Sequence, residues 1–359
     1  MGINLTPDYW EETNLKPAFS ENNVVVSLAS DDNYVKFLFV VLASIRANAA
    51  PDKNYDIIIL SDGISREHRA AIVGEIGQEN ISVRFVDAEH YLSDKELRTD
   101  WHIRRATYLR FAIVDIFDCY DKVLYLDCDI VVHRDVGELF GCCIDGKMLA
   151  AAKDLGMQGW CRKPGPEGEE KTRYVKEVVK VTDLSHYFNA GVLVMNLSEF
   201  RHRGYTTEKL IQLAVETQWN WMDQDLLNAI CYGSVEFLDQ RWNVMVHAPK
   251  PGEQIPEMRL PDGQYDDYLT LLDDPYLVHY AGHVIPVFTP TVECGHLFWR
   301  YARTVSVIGQ LEEDMVQHIV MMHENNSPIR KLIDALIPYG SRRHLFLRAI
   351  VRAVFPKKK

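Results

Sequence analysis

Asp127 and Asp129 stand two residues apart inside VLYLDCDIVV, an apolar, β-prone run from Val123 to Val132. A buried strand tolerates carboxylates only where a charge partner or a metal ion satisfies them. In an extended chain this spacing points both side chains to one side. Two convergent carboxylates suit a hard cation such as Mg²⁺ or Mn²⁺, and such an ion can hold a diphosphate. The same residues also fit a tight turn between two short strands, in which aspartates are common turn formers. A third protein ligand would complete a metal site. His279 is a candidate, because it closes the apolar segment YLVHY and precedes the small-residue turn Ala281-Gly282-His283. An imidazole ligand shifts the preference toward Mn²⁺. A core histidine bonded to a backbone carbonyl fits that position as well.

Three further groups could act beside such an ion. Asn189-Ala190-Gly191 follows an aromatic residue and would let backbone approach a ligand closely, or simply open a strand. Asp223-Gln224-Asp225 could hydrogen-bond sugar hydroxyls, or place acids in the first turn of a helix. Arg110, within TYLRF, could neutralise phosphate or pin an aspartate, although most helical arginines are solvated.

The elements that must position these residues alternate between strand and helix. Val24–Ala29 is a nearly continuous apolar run, as expected of a strand buried on both faces. A polar loop, SDDNY, follows it, and Tyr34–Asn48 has helical spacing. Tyr55–Leu60 and Ile81–Val86 read as strands, with a helix over Ser65–Ile76 between them. Thr107–Phe117 reads as a helix leading into the Asp127/Asp129 strand. Met148–Asp154 is a strand ending on a carboxylate, and Phe188–Leu197 is another strand. Glu208–Gln218 and Asp223–Ile230 read as helices, and Tyr276–Tyr280 as a late strand. Residues 160–173 and 248–266 are rich in Gly, Pro and charge and read as loops, the first of them mobile. This order predicts an α/β domain with a mostly parallel sheet, whose ligands bind at the carboxyl ends of the strands. The chain has neither G-x-G-x-x-G nor G-x-x-x-x-G-K-[ST], which removes the main support for dinucleotide oxidoreductases and P-loop enzymes.

At 359 residues, 47% apolar and 25% charged, the chain can bury a full core. Its formal net charge of −12 argues against a nucleic-acid partner. Seven scattered cysteines without C-x-x-C spacing fit a reducing compartment. No signal-peptide core is visible in residues 1–23. The charge is uneven, with nine Lys/Arg against the single acid Asp334 from Arg330 onward. Apolar stripes run through Ile329–Ile337 and Leu345–Val354, so the tail reads as helical and, around its second stripe, as a basic amphipathic helix. Such a helix binds anionic membrane surfaces, each basic residue contributing about 1 kcal/mol, or else packs on the domain with its charged face in water.

In chain order, ASDDNY, TYLRF, LYLDCD, AAKD, FNAGV, DQDLLN and HYAG strongly resemble the retaining glycosyltransferases of family 8, from about Val24 to Pro286. The bacterial lipopolysaccharide galactosyl- and glucosyltransferases look closer than glycogenin. The resemblance implies a GT-A fold, a Rossmann-like nucleotide-sugar-binding sheet, a UDP-hexose donor (glucose or galactose), Mn²⁺ with Mg²⁺ as the substitute, and a saccharide acceptor. It implies that Asp127, Asp129 and His279 ligate the metal. Ala29, Asp31 and Asn33 would hold uridine and ribose. Cys128, Arg110, Asp154, Asn189, Ala190 and Asp223 would surround the donor, and Gly282 would lie by the diphosphate. Gln224 would stabilise the cationic sugar during same-face attack assisted by the leaving phosphate, with Asp225 as the alternative nucleophile. The family motif H-x-x-G-x-x-K-P-W is altered here: Ile285 replaces the lysine that contacts the diphosphate, and Val287 the tryptophan. His283 could partly supply the missing cation. A non-catalytic nucleotide-sugar-binding protein at a membrane, or a nucleotidyltransferase, would use similar acids. The expected organisation is an N-terminal extension over 1–22, a catalytic domain over 23–290 and a C-terminal helical region over 291–359. The expected location is cytoplasmic, peripheral on the inner face of the membrane, attached through 329–359 to reach a lipid-linked acceptor.

Overall fold

The computed structural model describes residues 15–92, 105–246, 260, 263–282 and 284–326. Ten strands occur among them: β1 (Asn23–Asp31), β2 (Asn54–Asp62), β3 (Ile81–Asp87), β4 (Lys122–Leu126), β5 (Ile130–Val132), β6 (Leu149–Lys153), β7 (Phe188–Asn196), β8 (Val235–Phe237), β9 (Val244–Met245) and β10 (Leu277–His279). Seven form one sheet in the order β3-β2-β1-β4-β7-β6-β8. The pairs β1/β2, β1/β4, β2/β3 and β6/β8 are parallel. Only β7 runs against its neighbours, β4 and β6. The first residues of β7 therefore lie at the same edge of the sheet as the carboxyl ends of β1, β4 and β6.

The continuous apolar runs end where expected. Val24, Val25, Val26 and Leu28 of β1 and Ile57–Leu60 of β2 are buried, as strands covered on both faces must be. The helix Val35–Asn48 is apolar nearly all round and buried nearly all round: it packs against β1, β5 and the helix Gly295–Ala302. Ser65 caps the helix Arg66–Ile76 by accepting from His68 N–H.

Of the two readings of Val123–Val132 the structure takes the turn: two short strands, with Asp127–Asp129 in the bend between them. Two expectations are corrected. The segment before β4 is a 3₁₀ helix, Arg105–Ala112, followed by a single α turn, Ile113–Ile116. Residues 160–173 are not a loop, because the helices Leu155–Cys161 and Pro166–Glu177 occupy most of them. Gly165, at φ +92°, makes the turn, Pro166 opens the second helix, and Glu167 and Glu169 complement its amino end. The Pro, Gly and acids that suggested a loop are helix-start signals. Of 248–266, Gln264–Leu271 opens as a helix, while most of that stretch, like the tail over 329–359, lies outside the described residues.

The second sheet has the order β5-β10-β9. β10 runs antiparallel to β5, with His279 opposite Ile130, and Tyr280 N–H donates to the Asp129 carbonyl at 2.8 Å. This register carries a residue from late in the chain to the bend that holds the two aspartates. The chain divides into two compact units, Met1–Ile308 and Gly309–Lys359. The helix Ile308–Asn326, which from Gly309 onward belongs to the second, exposes Val316, Ile319 and Val320.

Candidate active site

Asp127, Asp129 and His279 converge, each offering a ligand atom within 4.8 Å of the other two. His279 Nε2 lies 3.2 Å from Asp129 Oδ1 and 4.0 Å from Asp127 Oδ2. One oxygen of each carboxylate is held by a neighbour. Asp127 Oδ1 accepts from Arg110 Nη2 at 2.9 Å and from Tyr125 Oη at 3.0 Å. Asp129 Oδ2 accepts from Tyr34 Oη at 3.3 Å. The other oxygens, Asp127 Oδ2 and Asp129 Oδ1, face His279. Two hard oxygens and one imidazole nitrogen, oriented in this way, fit a divalent ion such as Mn²⁺ or Mg²⁺.

The electrostatics agree with that arrangement. Burial presses the His279 pKa down, but Asp129 and Asp127 overcome it and hold it above the usual histidine value. The acid–imidazole cluster thus has an excess of negative charge that a cation, or a proton on His279, must balance. Gly191 leaves room for it. A Cβ at that position would stand 2.3 Å from His279 Cε1 and 2.8 Å from Asp127 Oδ2.

Arg110 pins the acids. The residue is 3% exposed, and its guanidinium bonds Asp127 and, through Nε, Asp223 Oδ2 at 3.0 Å, and lies over the Tyr125 ring. Its charge is committed to these partners. Asp223 also accepts from Thr107 Oγ1 at 3.1 Å. Burial raises its pKa, Arg110 draws it back and Asp127 raises it again, to about 6.

Gln224 is fixed at both ends. Its Oε1 accepts from Ala190 N–H at 3.0 Å and from Asn189 Nδ2 at 3.1 Å, and its Nε2 donates to Asp154 Oδ2 at 3.0 Å. Asp154 is also the amino-terminal cap of Leu155–Cys161 through Met157 N–H. Burial raises its pKa, against bonds that lower it. Asp225 has both carboxylate oxygens engaged. It is fully buried, Oδ1 accepts from Tyr187 Oη at 2.6 Å, and Oδ2 accepts from Tyr174 Oη at 2.6 Å and from Trp221 N–H at 2.8 Å. Both its oxygens serve to clamp the fold.

At the end of β1, Asp31 turns the chain by accepting from Tyr34 N–H, and Asn33 is exposed in that turn. The buried Cys128 thiol donates to the Ala29 carbonyl at 3.3 Å, closing the gap between β1 and the acid bend. Gly282 adopts φ +74°, a left-handed conformation that favours glycine, three residues after His279. His283 lies outside the described residues. Ile285 and Val287, which stand at the altered motif positions, are buried at 2% and 0% exposure. Tyr34, Tyr125, Thr107 and Gly191 stand in the quoted ASDDNY, LYLDCD, TYLRF and FNAGV without being singled out there, whereas Asn243 lies in none of the quoted motifs.

Residues 25–286 match the model of Glycosyl transferase family 8. The lipopolysaccharide 1,2-glucosyltransferase of Escherichia coli K12 is 26% identical over 269 residues, 73% of this chain and 72% of that protein. Among solved structures, the bifunctional glycosyltransferase WbbM in its apo form superposes with a TM-score of 0.73 at 27% identity, over 84% of this chain and 53% of its own. This chain therefore spans about half of WbbM. The galactosyltransferase LgtC, solved with donor and acceptor sugar analogues, gives a TM-score of 0.61 at 27% identity over 78% of this chain and 96% of its own.

Proposed function

We propose that this chain, which belongs to glycosyl transferase family 8 and has a GT-A-type fold, moves a glucose or galactose from UDP to a membrane-associated glycan with retention of configuration. The observation that carries this reading is the convergence of Asp127, Asp129 and His279 at the carboxyl edge of the sheet, with one carboxylate oxygen of each acid turned inward. These three residues would hold Mn²⁺ or Mg²⁺, whose charge offsets the charge that develops on a departing diphosphate. The likeness to lipopolysaccharide 1,2-glucosyltransferase supports the acceptor class.

The chain's own groups divide the work. Ala29, Asp31 and Asn33 border the nucleoside end, and Gly282 the diphosphate. Arg110 holds Asp127 and Asp223 rather than phosphate. Asp154, Asn189, Ala190 and Asp223 set the sugar pocket, and Gln224 presents a fixed amide to the oxocarbenium-like carbon. The commitment of both Asp225 oxygens supports same-face attack over a double displacement. The basic tail over 329–359 supports a peripheral position on the inner membrane face. No helix among the described residues is long and apolar enough to cross a membrane.

The test is UDP release from UDP-glucose and UDP-galactose, with Mn²⁺ and with chelator. Turnover that needs metal and is lost in Asp129→Ala, with the fold intact, is the expected result. No turnover of either donor overturns the reading. A second reading, a non-catalytic nucleotide-sugar-binding protein, rests on Ile285, which puts a buried apolar side chain where the family has a lysine. Calorimetry that shows UDP binding without turnover would favour it.

A further inference from the structure

Five side chains form one unbroken hydrogen-bonded line from the sugar pocket to the metal cluster. Asp154 Oδ2 accepts from Gln224 Nε2 at 3.0 Å, Gln224 Oε1 from Asn189 Nδ2 at 3.1 Å, and Asn189 Oδ1 from Asn243 Nδ2 at 2.9 Å. Asn243 Oδ1 then lies 3.0 Å from His279 Nδ1. Asn243 is 1% exposed and immediately precedes β9, the strand that pairs with β10.

The direction of every bond in the line is set by backbone. Ala190 N–H donates to Gln224 Oε1 at 3.0 Å, and Gly191 N–H donates to Asn189 Oδ1 at 2.9 Å. A backbone N–H can only donate, so both amide oxygens are fixed as acceptors and neither amide can turn over without stranding a donor. Asn243 must then give its nitrogen to Asn189 and its oxygen to His279. An amide oxygen only accepts, so the proton of the neutral imidazole sits on Nδ1 and the lone pair on Nε2, facing Asp127 and Asp129.

We propose that Asn243 is a positioning residue that selects the metal-ligating tautomer of His279 and, through Asn189, ties that ligand to Gln224. The proposal rests on the reading of Asp127, Asp129 and His279 as a metal site. The test is Mn²⁺ affinity, read from the paramagnetic resonance signal of free Mn²⁺ during titration of the full chain without nucleotide. Asn243→Leu removes the acceptor and is expected to weaken binding roughly 10- to 100-fold. Asn243→Asp keeps the oxygen that accepts from Nδ1–H and, with a proton on its other oxygen, donates to Asn189 Oδ1 as the amide nitrogen does; it is expected to bind within about threefold of the parent, a rescue that a merely structural role would not give. Parent-like affinity in Asn243→Leu overturns the proposal. So does equal weakening in a folded Asn243→Asp. Asp129→Asn separates the two ideas. If the parent binds Mn²⁺ no better than this variant, the metal reading falls and takes the proposal with it. If the parent binds, Asp129→Asn does not, and Asn243→Leu matches the parent, the proposal alone falls.

Discussion

At the scale of single residues, the site is a set of charges that constrain one another. Gly191 shows how little space remains: a methyl group there meets the imidazole and Asp127 at sub-contact distance. Gly191→Ala is expected to lower metal affinity and turnover by about 100-fold or more, since small displacements of reacting groups carry costs of that order. Titration with Mn²⁺ and UDP release would read both. His279 leads to a second expectation. Burial disfavours its charge, but Asp129 and Asp127 hold its pKa above 6.5. At pH 6.5 a bound metal must displace that proton, so binding releases protons and tightens as pH rises. Calorimetry in buffers of different ionisation enthalpy checks this, and identical heats would refute it. Asp223 supplies a third. Its carboxyl titrates near 6 when folded, against a reference value of 3.8. The folded state holds that proton more tightly than the unfolded chain does. The stability it contributes is complete below pH 3.8 and is lost as pH rises through about 6. Asp223→Asn has no such proton. Its stability relative to the parent is expected to rise across that window in urea unfolding of the metal-free protein.

At the scale of elements, two strand registers and one helix start assemble the site. β7 runs antiparallel to β4, and Asp127 N–H donates to the Gly191 carbonyl, which brings FNAGV to the acid bend. β10 lies on β5 and delivers His279. The helix Met222–Cys231 begins with Met222 at φ +40°, a strained value for a residue with a side chain. Asp225, one turn on, holds that start in place through Tyr174, Tyr187 and Trp221 N–H. Asp225→Asn is therefore expected to cost about 2 kcal/mol of stability by weakening charge-assisted hydrogen bonds. Turnover in the folded variant is expected to fall less than about tenfold, whereas loss of a nucleophile costs orders of magnitude more. Thermal melting paired with UDP release distinguishes the two. The strands and most helices were readable from apolar periodicity because burial on two faces demands it. The helix Pro166–Glu177 was not, because its composition of Pro, Gly and acids serves turns and helix starts alike.

At the scale of the whole molecule, the site residues and the basic surplus occupy different parts of the sequence. The site residues all fall within the segment matched to the family, residues 25–286, and the basic surplus falls from Arg330 onward. If the tail serves only attachment, removing 327–359 is expected to leave turnover of UDP-hexose with a soluble acceptor within about threefold. It is expected to abolish cosedimentation with anionic vesicles, because several basic residues at about 1 kcal/mol each supply that binding. Vesicle binding that survives the truncation would refute the tail's role.

The sequence alone determined which residue types were present, their order and the alternation of strand and helix. Hydrophobic period and charge placement are local, and seven motifs in register specify a family even where each is weak. It could not decide between a turn and a metal site at Asp127 and Asp129, or between solvent and an aspartate as the partner of Arg110. Tertiary structure decided where those side chains lie, by bringing residues from Tyr34 to His279 within a few ångströms of one bend. It also revealed Asn243, which no motif marks, because the polarity of a hydrogen bond is set by spatial neighbours and leaves no periodic trace along the chain.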